Sequence, residues 1–480
     1  MSSPKKARSL SLNNKSSSSS PHVPRKARSL SFNKSLSSIP HVANTSFIFF
    51  GCWNNINCSK NEKTLNRNVV LALLKTLYSN MPIVLAGDNW YSQKIKLPAT
   101  LQAANASTSE NKNKTIGKFK FYPVYVLETG YKKLFEISKK IDIVLGNHDI
   151  NPKKLNDFYA LNQCDQLGCM VKVQTDIISK MLLGYKDPSS TTENIQNIYQ
   201  YNDVKLYVCK PHIEEKSKGI FFLYLNTNIF EAKDVNSIIA YRKLVISELA
   251  DNKIKLLFIV GHHPFFGLKK KKQKKTEGEA TPEAKFIINT VADLYFKETV
   301  DKAKVDAINQ FLNIFTRYKS IYLCADIHNF QICKLSSNLC MVICGSGGAS
   351  RDRLGDYVNN TVPIPLKCKL NDNIKVTDMY VHDSYGFSKI TYSNSGNKVE
   401  ITYYKFVNTD IEYNIFKYTL EYFNKSWTIN KEAPNKEKAI TTDGDFNTAT
   451  HCPKIRVEDK ENVDPLLATI NGEKCGKKEK

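Results

Sequence analysis

Short apolar runs recur along this chain, and clusters of polar side chains follow several of them without a spacer. The run IDIVLG at 141–146 is followed at once by Asn147, His148 and Asp149. An apolar run of this length, bounded by a glycine, predicts a buried strand. One polar residue after a strand is ordinary turn chemistry, but an amide, an imidazole and a carboxylate together indicate a site built at the end of that strand.

Strand-like and helix-like stretches alternate along most of the sequence. Apolar runs predict strands at 46–51, 82–87, 141–146, 219–227, 254–261, 320–326 and 339–348. Apolar residues at helical spacing predict helices at 62–79, 127–140 and 301–318. Two segments that alternate with a period of two flank NSGN at 394–397 and predict a late hairpin. Alternation of strands and helices predicts an α/β core.

The polar clusters occur at five predicted strand ends. Their sequences are GCWNN at 51–55, GDNWY at 87–91, GNHD at 146–149, GHHP at 261–264 and CADIHNFQ at 324–331. In an open α/β sheet, ligands bind beyond the carboxyl ends of the strands, so the five clusters are expected to converge on one site. Their oxygen and nitrogen donors suit Mn, Fe, Zn or Mg. A single such motif is a weak signal, whereas five in this order are not.

The order of these motifs resembles that of the calcineurin-like metallophosphoesterases, and the tyrosine of GDNWY narrows the resemblance to the purple acid phosphatase branch. The resemblance covers residues 46–405 and includes GSGGAS at 345–350. It implies a four-layer α/β/β/α sandwich, formed here by residues 45–432. It also implies hydrolysis of phosphomonoesters, with a phosphorylated small molecule or protein as the substrate.

The resemblance further implies two metal ions, which would be Fe, Mn or Zn. It places Asp88 between the two ions. Tyr91 and His328 would bind the first ion, and Asn147 and His262 would bind the second. The two ions would activate a bridging water as hydroxide near neutral pH.

Three more residues receive roles by the same resemblance. His148 would act as the general acid that protonates the leaving oxygen, or as an electrostatic clamp on the phosphate. Asp149 would orient His148. His263 matches a position near the phosphate.

Two positions depart from the family pattern. Cys52 stands where the family has aspartate, and Asp326 stands where the last motif has histidine. Each ion therefore loses one expected ligand, although a thiolate and a carboxylate can both bind these metals. Cys52 and Asp326 could equally be a small core residue and a turn residue in a decayed site. The sequence leaves open an active phosphoesterase and an inactive, phosphatase-like scaffold protein.

The chain is strongly basic, with a formal net charge of +23. Its first 45 residues carry eight Lys or Arg and no acid, and positions 269–275 hold six lysines. Such charge attracts nucleic acid or acidic surfaces, and it suggests a third function, a phosphodiesterase that acts on nucleic acid. A solvated tail and a solvated loop are the alternative interpretations of the two basic segments.

Composition predicts disorder at both ends of the chain. Residues 1–44 contain a Ser- and Lys-rich repeat that starts at Lys6 and again at Lys26, and they have too few large apolar residues to form a core. Residues 433–480 lose all periodicity and are predicted to be a disordered polar tail. Two polar insertions, at 92–120 and 269–285, are predicted within the domain.

The sequence also predicts where the protein resides. The basic N terminus lacks an apolar segment behind its charges, so no signal peptide is expected. No apolar run is long enough to span a bilayer. The twelve cysteines form no C-x-x-C pair, which argues against a zinc ribbon. An intracellular protein, cytoplasmic or nuclear and mostly reduced, is the expectation.

Overall fold

The structure is a computed structural model, and it describes part of the chain. The described residues are 44–55, 66–91, 95–96, 119–120, 123–150, 169–184, 196–231, 234–270, 286–290, 302–349, 351–352, 366–367, 375–406 and 412–438. All of them belong to one compact unit, Val42–Lys480. The predicted disordered arm, apart from residue 44, and the tail beyond residue 438 lie outside the described residues.

Five helices and 23 strands lie within the described residues. The helices are α1 (Asn66–Tyr78), α2 (Pro123–Ile137), α3 (Cys169–Leu183), α4 (Val235–Leu249) and α5 (Lys302–Phe315), with a 3₁₀ turn at Thr227–Glu231. The strands of the first half are β1 (Thr45–Phe50), β2 (Ile83–Ala86), β3 (Ile95–Lys96), β4 (Phe119–Lys120), β5 (Ile141–Val144), β6 (Ile198–Tyr201), β7 (Val204–Tyr207), β8 (His212–Ser217), β9 (Ile220–Tyr224) and β10 (Leu256–Val260). The strands of the second half are β11 (Phe266–Lys270), β12 (Phe286–Thr290), β13 (Ser320–Cys324), β14 (Phe330–Lys334), β15 (Leu339–Cys344), β16 (Leu366–Lys367), β17 (Lys375–Val376), β18 (Met379–His382), β19 (Gly386–Tyr392), β20 (Lys398–Phe406), β21 (Glu412–Phe423), β22 (Ser426–Lys431) and β23 (Asn435–Lys438).

Two large sheets organise the unit. The first sheet has the order β22-β21-β20-β19-β1-β2-β5-β7-β6, and β23 pairs with β21 at one side. The second sheet has the order β18-β14-β15-β13-β10-β9-β8. Three two-stranded ribbons, β3–β4, β11–β12 and β16–β17, complete the described strands.

The two sheets face each other across an aromatic core. Phe47 of β1 in the first sheet packs edge-on against Phe222 of β9 and Phe258 of β10 in the second, with ring centroids 5.3 and 5.6 Å apart. Helices α1, α2 and α3 pack side by side next to the first sheet, and α4 and α5 pack together next to the second. This arrangement confirms the predicted α/β/β/α sandwich.

The composition of each element matches its position. The central strands β1, β2, β9 and β10 are apolar on both faces because helices cover one face and the other sheet covers the other. Strand β20 alternates buried and exposed residues over much of its length, since one face meets solvent. Helix α5 buries positions 304, 307, 308, 311, 312, 314 and 315, the stripe expected of a helix packed on one side.

Parallel pairing places the polar strand ends at one edge of the sandwich. In the first sheet, β1 pairs in parallel with β2 and β2 with β5, with Ala86 opposite Val144. In the second sheet, β9, β10 and β13 are parallel, with Val260 opposite both Tyr224 and Leu323. The clusters that follow these strands therefore lie along the carboxyl edges of both sheets.

Described strands lie within three segments that the sequence assigned to the margins of the domain or to insertions. Strand β23 lies inside the stretch 433–480 that was predicted to be a polar tail, so the domain extends beyond residue 432. Strands β3 and β4 lie inside the predicted insertion 92–120. The first two residues of the predicted insertion 269–285 belong to β11. The remaining residues of both insertions lie outside the described residues.

Two further observations concern the predicted location. Among the described residues, no helix combines the length and the apolar character needed to cross a membrane. Cys209 is disulfide-bonded. Five other cysteines are buried and form no disulfide: Cys52, Cys324, Cys333, Cys340 and Cys344.

Candidate active site

Three residues at the carboxyl ends of strands share an unusual backbone conformation. Cys52, Asp88 and Asp326 follow β1, β2 and β13, and their φ angles are 51°, 54° and 50°. The left-handed region costs non-glycine residues roughly 1–3 kcal/mol, and such residues cluster at functional sites. Aspartate visits this region more readily than cysteine does. The repeated conformation turns the chain sharply at each of these strand ends.

Two glycines allow the loops to approach closely. Gly87 has a φ of +84°, which L side chains rarely adopt, and a Cβ there would lie 2.5 Å from the nitrogen of Gly146. A Cβ on Gly146 would lie 2.3 Å from Asp88 Oδ1. Glycine at these two positions is therefore needed to bring the GDNWY and GNHD loops into contact.

The carboxylate of Asp88 lies at the centre of the site. Its Oδ2 accepts a hydrogen bond from Tyr91 Oη at 2.8 Å and contacts Cys52 Sγ at 3.7 Å. Its Oδ1 accepts the backbone N–H of His148 at 3.1 Å and lies 3.3 Å from His262 Nε2. Each carboxylate oxygen thus faces a different set of candidate ligands.

The first set comprises Cys52, Tyr91 and His328. Tyr91 Oη lies 3.2 Å from His328 Nε2, so it connects that ring to Asp88. Burial and then the charge of Asp88 raise the pKa of both the Cys52 thiol and the Tyr91 phenol well above their ordinary values. Both groups therefore keep their protons at neutral pH unless a cation compensates the charge.

The second set comprises Asn147, His262 and Asp326. His262 Nδ1 lies 2.7 Å from the carbonyl oxygen of Ala86. A carbonyl oxygen only accepts, so Nδ1 carries the hydrogen, and burial lowers the pKa of the ring and favours its neutral form. Nε2 then presents a lone pair 3.3 Å from Asp88 Oδ1 and 3.7 Å from Asp326 Oδ1. Lone pairs facing one another at these distances repel unless a cation lies between them.

Orphaned buried atoms show that the site fits a cation. His262 Nε2 and Asn147 Oδ1 are both buried and have no hydrogen-bond partner. The donor atoms of Cys52, Asp88 and His262 lie within 4.8 Å of one another, as do those of His262, His263 and Asp326. Sulfur, nitrogen and carboxylate oxygen in such clusters suit Zn or Fe.

His263 is fully buried beside its neighbour His262. Its Nδ1 forms a hydrogen bond of 3.0 Å with Thr227 Oγ1, and its Nε2 lies 3.4 Å from Glu231 Oε1. Burial alone would lower the pKa of His263, but the carboxylate of Glu231 raises it above its ordinary value. The ring is therefore held between a hydroxyl group and a carboxylate.

His148 lies at the exposed side of the site. Its backbone N–H donates to Asp88, and its carbonyl accepts from the indole of Trp90. Its ring packs against that of Tyr91 with centroids 4.5 Å apart. The backbone of His148 is thus anchored while its imidazole remains accessible to a ligand.

Asp149 does not orient the imidazole of His148 in the manner predicted. Its buried carboxylate accepts from the backbone nitrogens of Gly146, at 2.7 Å, and Asn89, at 2.9 Å, and from Gln174 Nε2 at 3.2 Å. None of its hydrogen bonds within the described chain reaches the His148 ring. Burial and the charge of Asp88 raise the pKa of Asp149 well above its ordinary value. Asp149 ties the GNHD turn to the GDNWY loop and to α3.

Four polar residues of this region were not predicted as site residues. Thr227 accepts the backbone N–H groups of His262 and His263, and Glu231 contacts His263. Gln174 holds Asp149, and the carboxylate of Asp352 accepts the backbone N–H of His328 at 3.0 Å. Thr227 and Glu231 could have been found from the sequence, because they follow β9, a strand that ends at the carboxyl edge of the second sheet.

The protein also has a cleft of about 340 Å³ on the opposite edge of the sandwich, away from this cluster. Its lining includes Asp142, Lys205, Glu214 and Lys216. These charges pair with one another at 2.9–3.0 Å. We place the candidate site at the carboxyl edge instead, because the buried donor atoms without hydrogen-bond partners at His262 and Asn147 lie there.

Known proteins offer only distant structural similarities to this chain. No known family and no curated protein matches the sequence. A solved structure of PhoD is similar with a TM-score of 0.43 and 9% identity, covering 85% of this chain and 76% of that one. The calcineurin-like phosphoesterase YfkN from Bacillus subtilis is similar with a TM-score of 0.26 and 11% identity, covering 85% and 95%. At TM-scores under 0.5, neither likeness bears on the activity of this chain.

Proposed function

We propose that this chain is a metal-dependent phosphoesterase that hydrolyses phosphomonoesters. The observation that carries the proposal is the buried Nε2 of His262, which has no hydrogen-bond partner and lies 3.3 Å from Asp88 Oδ1 and 3.7 Å from Asp326 Oδ1. Buried carboxylates without a compensating cation cost several kcal/mol each. The order of the five strand-end motifs supports the choice of reaction.

Two cations would be held on either side of Asp88. The first would be bound by Cys52, Asp88, Tyr91 and His328. The second would be bound by Asp88, Asn147, His262 and Asp326. The mixture of sulfur, nitrogen and oxygen donors suits Fe, Mn or Zn.

When bound, the two cations would polarise the phosphoryl oxygen and lower the pKa of a water that attacks phosphorus. Proton donation and positioning would be carried out by side chains of the protein. His148, accessible above Tyr91, would donate a proton from its imidazole to the departing ester oxygen. Asp149 would keep the GNHD turn in place by holding the backbone of Gly146. The buried walls around Asp88 would exclude other water from the carboxylate.

The substrate would be a phosphorylated small molecule or protein. The basic arm and the lysine run at 269–275 would add affinity for nucleic acid or an acidic surface, and both segments lie outside the described side chains. A cytoplasmic or nuclear location belongs to the proposal as well. Fractionation of cells that express the chain tests this location.

An inactive, phosphatase-like scaffold protein is the second candidate. The observation that favours it is Cys52, which is fully buried and whose thiol is held protonated by burial and by Asp88. A protonated, buried cysteine behaves as a small core residue. In that case the first cation would lack a ligand.

Metal content and turnover distinguish the two candidates. The purified chain is analysed for bound metal and assayed with para-nitrophenyl phosphate, together with His148→Ala and the control His212→Ala on β8. The phosphoesterase predicts two metals per chain and a loss of turnover of roughly 10²–10⁴-fold in His148→Ala alone. A folded protein with neither metal nor turnover would support the scaffold.

A further inference from the structure

The residues that follow Cys52, Asp88 and His148 in the chain form a hydrogen-bonded network of their own. All three are fully buried: Trp53, Asn89 and Asp149. The indole nitrogen of Trp53 donates to Asn89 Oδ1 at 3.2 Å, and Asn89 Nδ2 donates to Asp149 Oδ2 at 3.0 Å. Three loops of the candidate site are therefore bonded to one another through side chains that are not candidate cation ligands.

Two helices extend this network. Gln174 of α3 donates from Nε2 to Asp149 Oδ1 at 3.2 Å, and its Oε1 accepts a hydrogen bond of 3.1 Å from the hydroxyl of Tyr131 of α2. The ring of Tyr131 packs edge-on against that of Trp53, with centroids 5.7 Å apart. The contacts therefore close a ring of five fully buried side chains, which are Trp53, Asn89, Asp149, Gln174 and Tyr131.

The partners fix the orientation of both amides in this ring. An indole N–H only donates, so Asn89 turns its oxygen to Trp53 and its NH₂ group to Asp149. The NH₂ group of Gln174 likewise faces the carboxylate of Asp149, which leaves its oxygen for the hydroxyl of Tyr131. Every polar atom of the five side chains has a partner, and a fully bonded buried network of this kind specifies one arrangement of the loops.

Asp149 connects this arrangement to His148. Its carboxylate accepts the backbone N–H of Gly146 at 2.7 Å, and its own backbone N–H donates to the carbonyl of Gly146 at 3.1 Å. His148 lies inside the turn that these two bonds close. A displacement of about 1 Å in a reacting group can cost roughly 10²-fold in rate, so a side chain that holds Asp149 can affect proton transfer without touching the substrate.

We propose that Gln174 and Tyr131 are positioning residues for His148 and act through Asp149. They hold the GNHD turn where the imidazole of His148 reaches the departing ester oxygen. The inference rests on the proposed function, because it takes His148 as the acid that protonates that oxygen. Neither Gln174 nor Tyr131 belongs to a strand-end motif.

The dependence of the rate on the leaving group tests the proposal. The full-length wild type, Gln174→Met and Tyr131→Phe are assayed with para-nitrophenyl phosphate and phenyl phosphate at saturating Mn²⁺. Phenolate is the poorer leaving group, so its departure depends more on a donated proton. The control is Tyr207→Phe, which removes a buried hydroxyl group from Asp142 and Glu214 at the opposite edge. Urea-induced unfolding establishes which variants are folded.

We expect Gln174→Met to lower kcat for phenyl phosphate at least about tenfold without a matching change in KM, since loss of an outer partner of a metal site costs roughly 10–100-fold. The loss with para-nitrophenyl phosphate should be smaller. Tyr131→Phe should show the same pattern with a smaller loss, and Tyr207→Phe should keep the rates of the wild type. Gln174→Met should cause no further loss when it is added to His148→Ala.

Three results in folded variants would overturn the inference and leave the proposed function standing. They are equal losses with the two substrates, no loss with either, and a full further loss when Gln174→Met is added to His148→Ala. A wild-type chain that turns over neither substrate with Mn²⁺, Fe²⁺ or Zn²⁺ would overturn the proposed function as well. Tyr131→Phe decides the matter alone if Gln174→Met does not fold.

Discussion

Replacing Cys52 with aspartate should make the stability of the protein depend on bound metal. In the wild type, the thiol lies 3.7 Å from Asp88 Oδ2 and stays neutral. A carboxylate at the same distance would repel that of Asp88 by about 4–5 kcal/mol at an effective dielectric constant of 20. Relief of the left-handed strain at position 52 would return about 1 kcal/mol, because aspartate tolerates that conformation better than cysteine.

The net expectation for metal-free Cys52→Asp is a loss of about 3–4 kcal/mol in the free energy of unfolding at pH 7. Like-charge repulsion and burial raise the pKa of the introduced carboxyl above its unfolded value. The loss is therefore largest at neutral pH and shrinks as the pH falls and the carboxyl becomes protonated in both states. A bound cation should remove the loss altogether, because it neutralises both carboxylates.

The assay is urea-induced unfolding of the variant, with and without Zn²⁺ or Mn²⁺, at pH 7 and pH 5. Cys52→Ser is the control, because it changes the ligand without adding charge. An equal loss at both pH values, or a loss that metal does not reduce, would rule out repulsion between the two carboxylates as its cause. The same conclusion would follow if Cys52→Ser lost as much stability as Cys52→Asp.

Three further predictions concern the site itself, the GNHD turn and the cleft at the opposite edge. Cys52→Asp combined with Asp326→His should raise turnover with Fe or Mn, measured with para-nitrophenyl phosphate; unchanged or lower turnover would mean that the site is tuned differently. Asp149→Asn should destabilise the protein by about 1–3 kcal/mol, since an amide cannot accept all the hydrogen bonds that the carboxylate accepts, and thermal unfolding measures the loss. Burial would raise the pKa of Glu214, but Lys216 and Lys205 lower it from 4.5 to about 2. The ionised carboxylate therefore stabilises the folded state above pH 4.5, the pKa of the unfolded chain, and this contribution is lost as the pH falls toward 2. Glu214→Gln should therefore flatten acid unfolding in that window, and an unchanged acid transition would contradict this.

Much of the fold could be predicted because its central strands are apolar on both faces. The runs at β1, β2, β5, β10 and β13 stand out in the sequence, and the structure places strands there within a few residues of the predicted bounds. Strands β21 to β23 and the hairpin of β6 and β7 were not predicted. Their polar and apolar residues mix because one face or one edge meets solvent. Helix α4 was missed as well, although Asp234 caps it with a hydrogen bond to Asn236.

The candidate site was predictable where its residues lie within local motifs. Asp88, Tyr91 and His262 follow strands directly, and the sheet brings them together without further information. Glu231 contacts His263 across 32 positions of the chain, and no periodicity encodes that approach. The position of Asp149 likewise depends on Gln174, which is contributed by a helix that the sequence did not reveal.

The central claim is that a cation lies between the imidazole of His262 and the carboxylate of Asp88. Anomalous diffraction from crystals of the full chain grown with Zn²⁺ or Mn²⁺ tests it most directly. We expect one anomalous peak within bonding distance of His262 Nε2 and a second near Cys52, Tyr91 and His328. Well-ordered density for these side chains with no anomalous peak among them would mean that the cluster holds no cation.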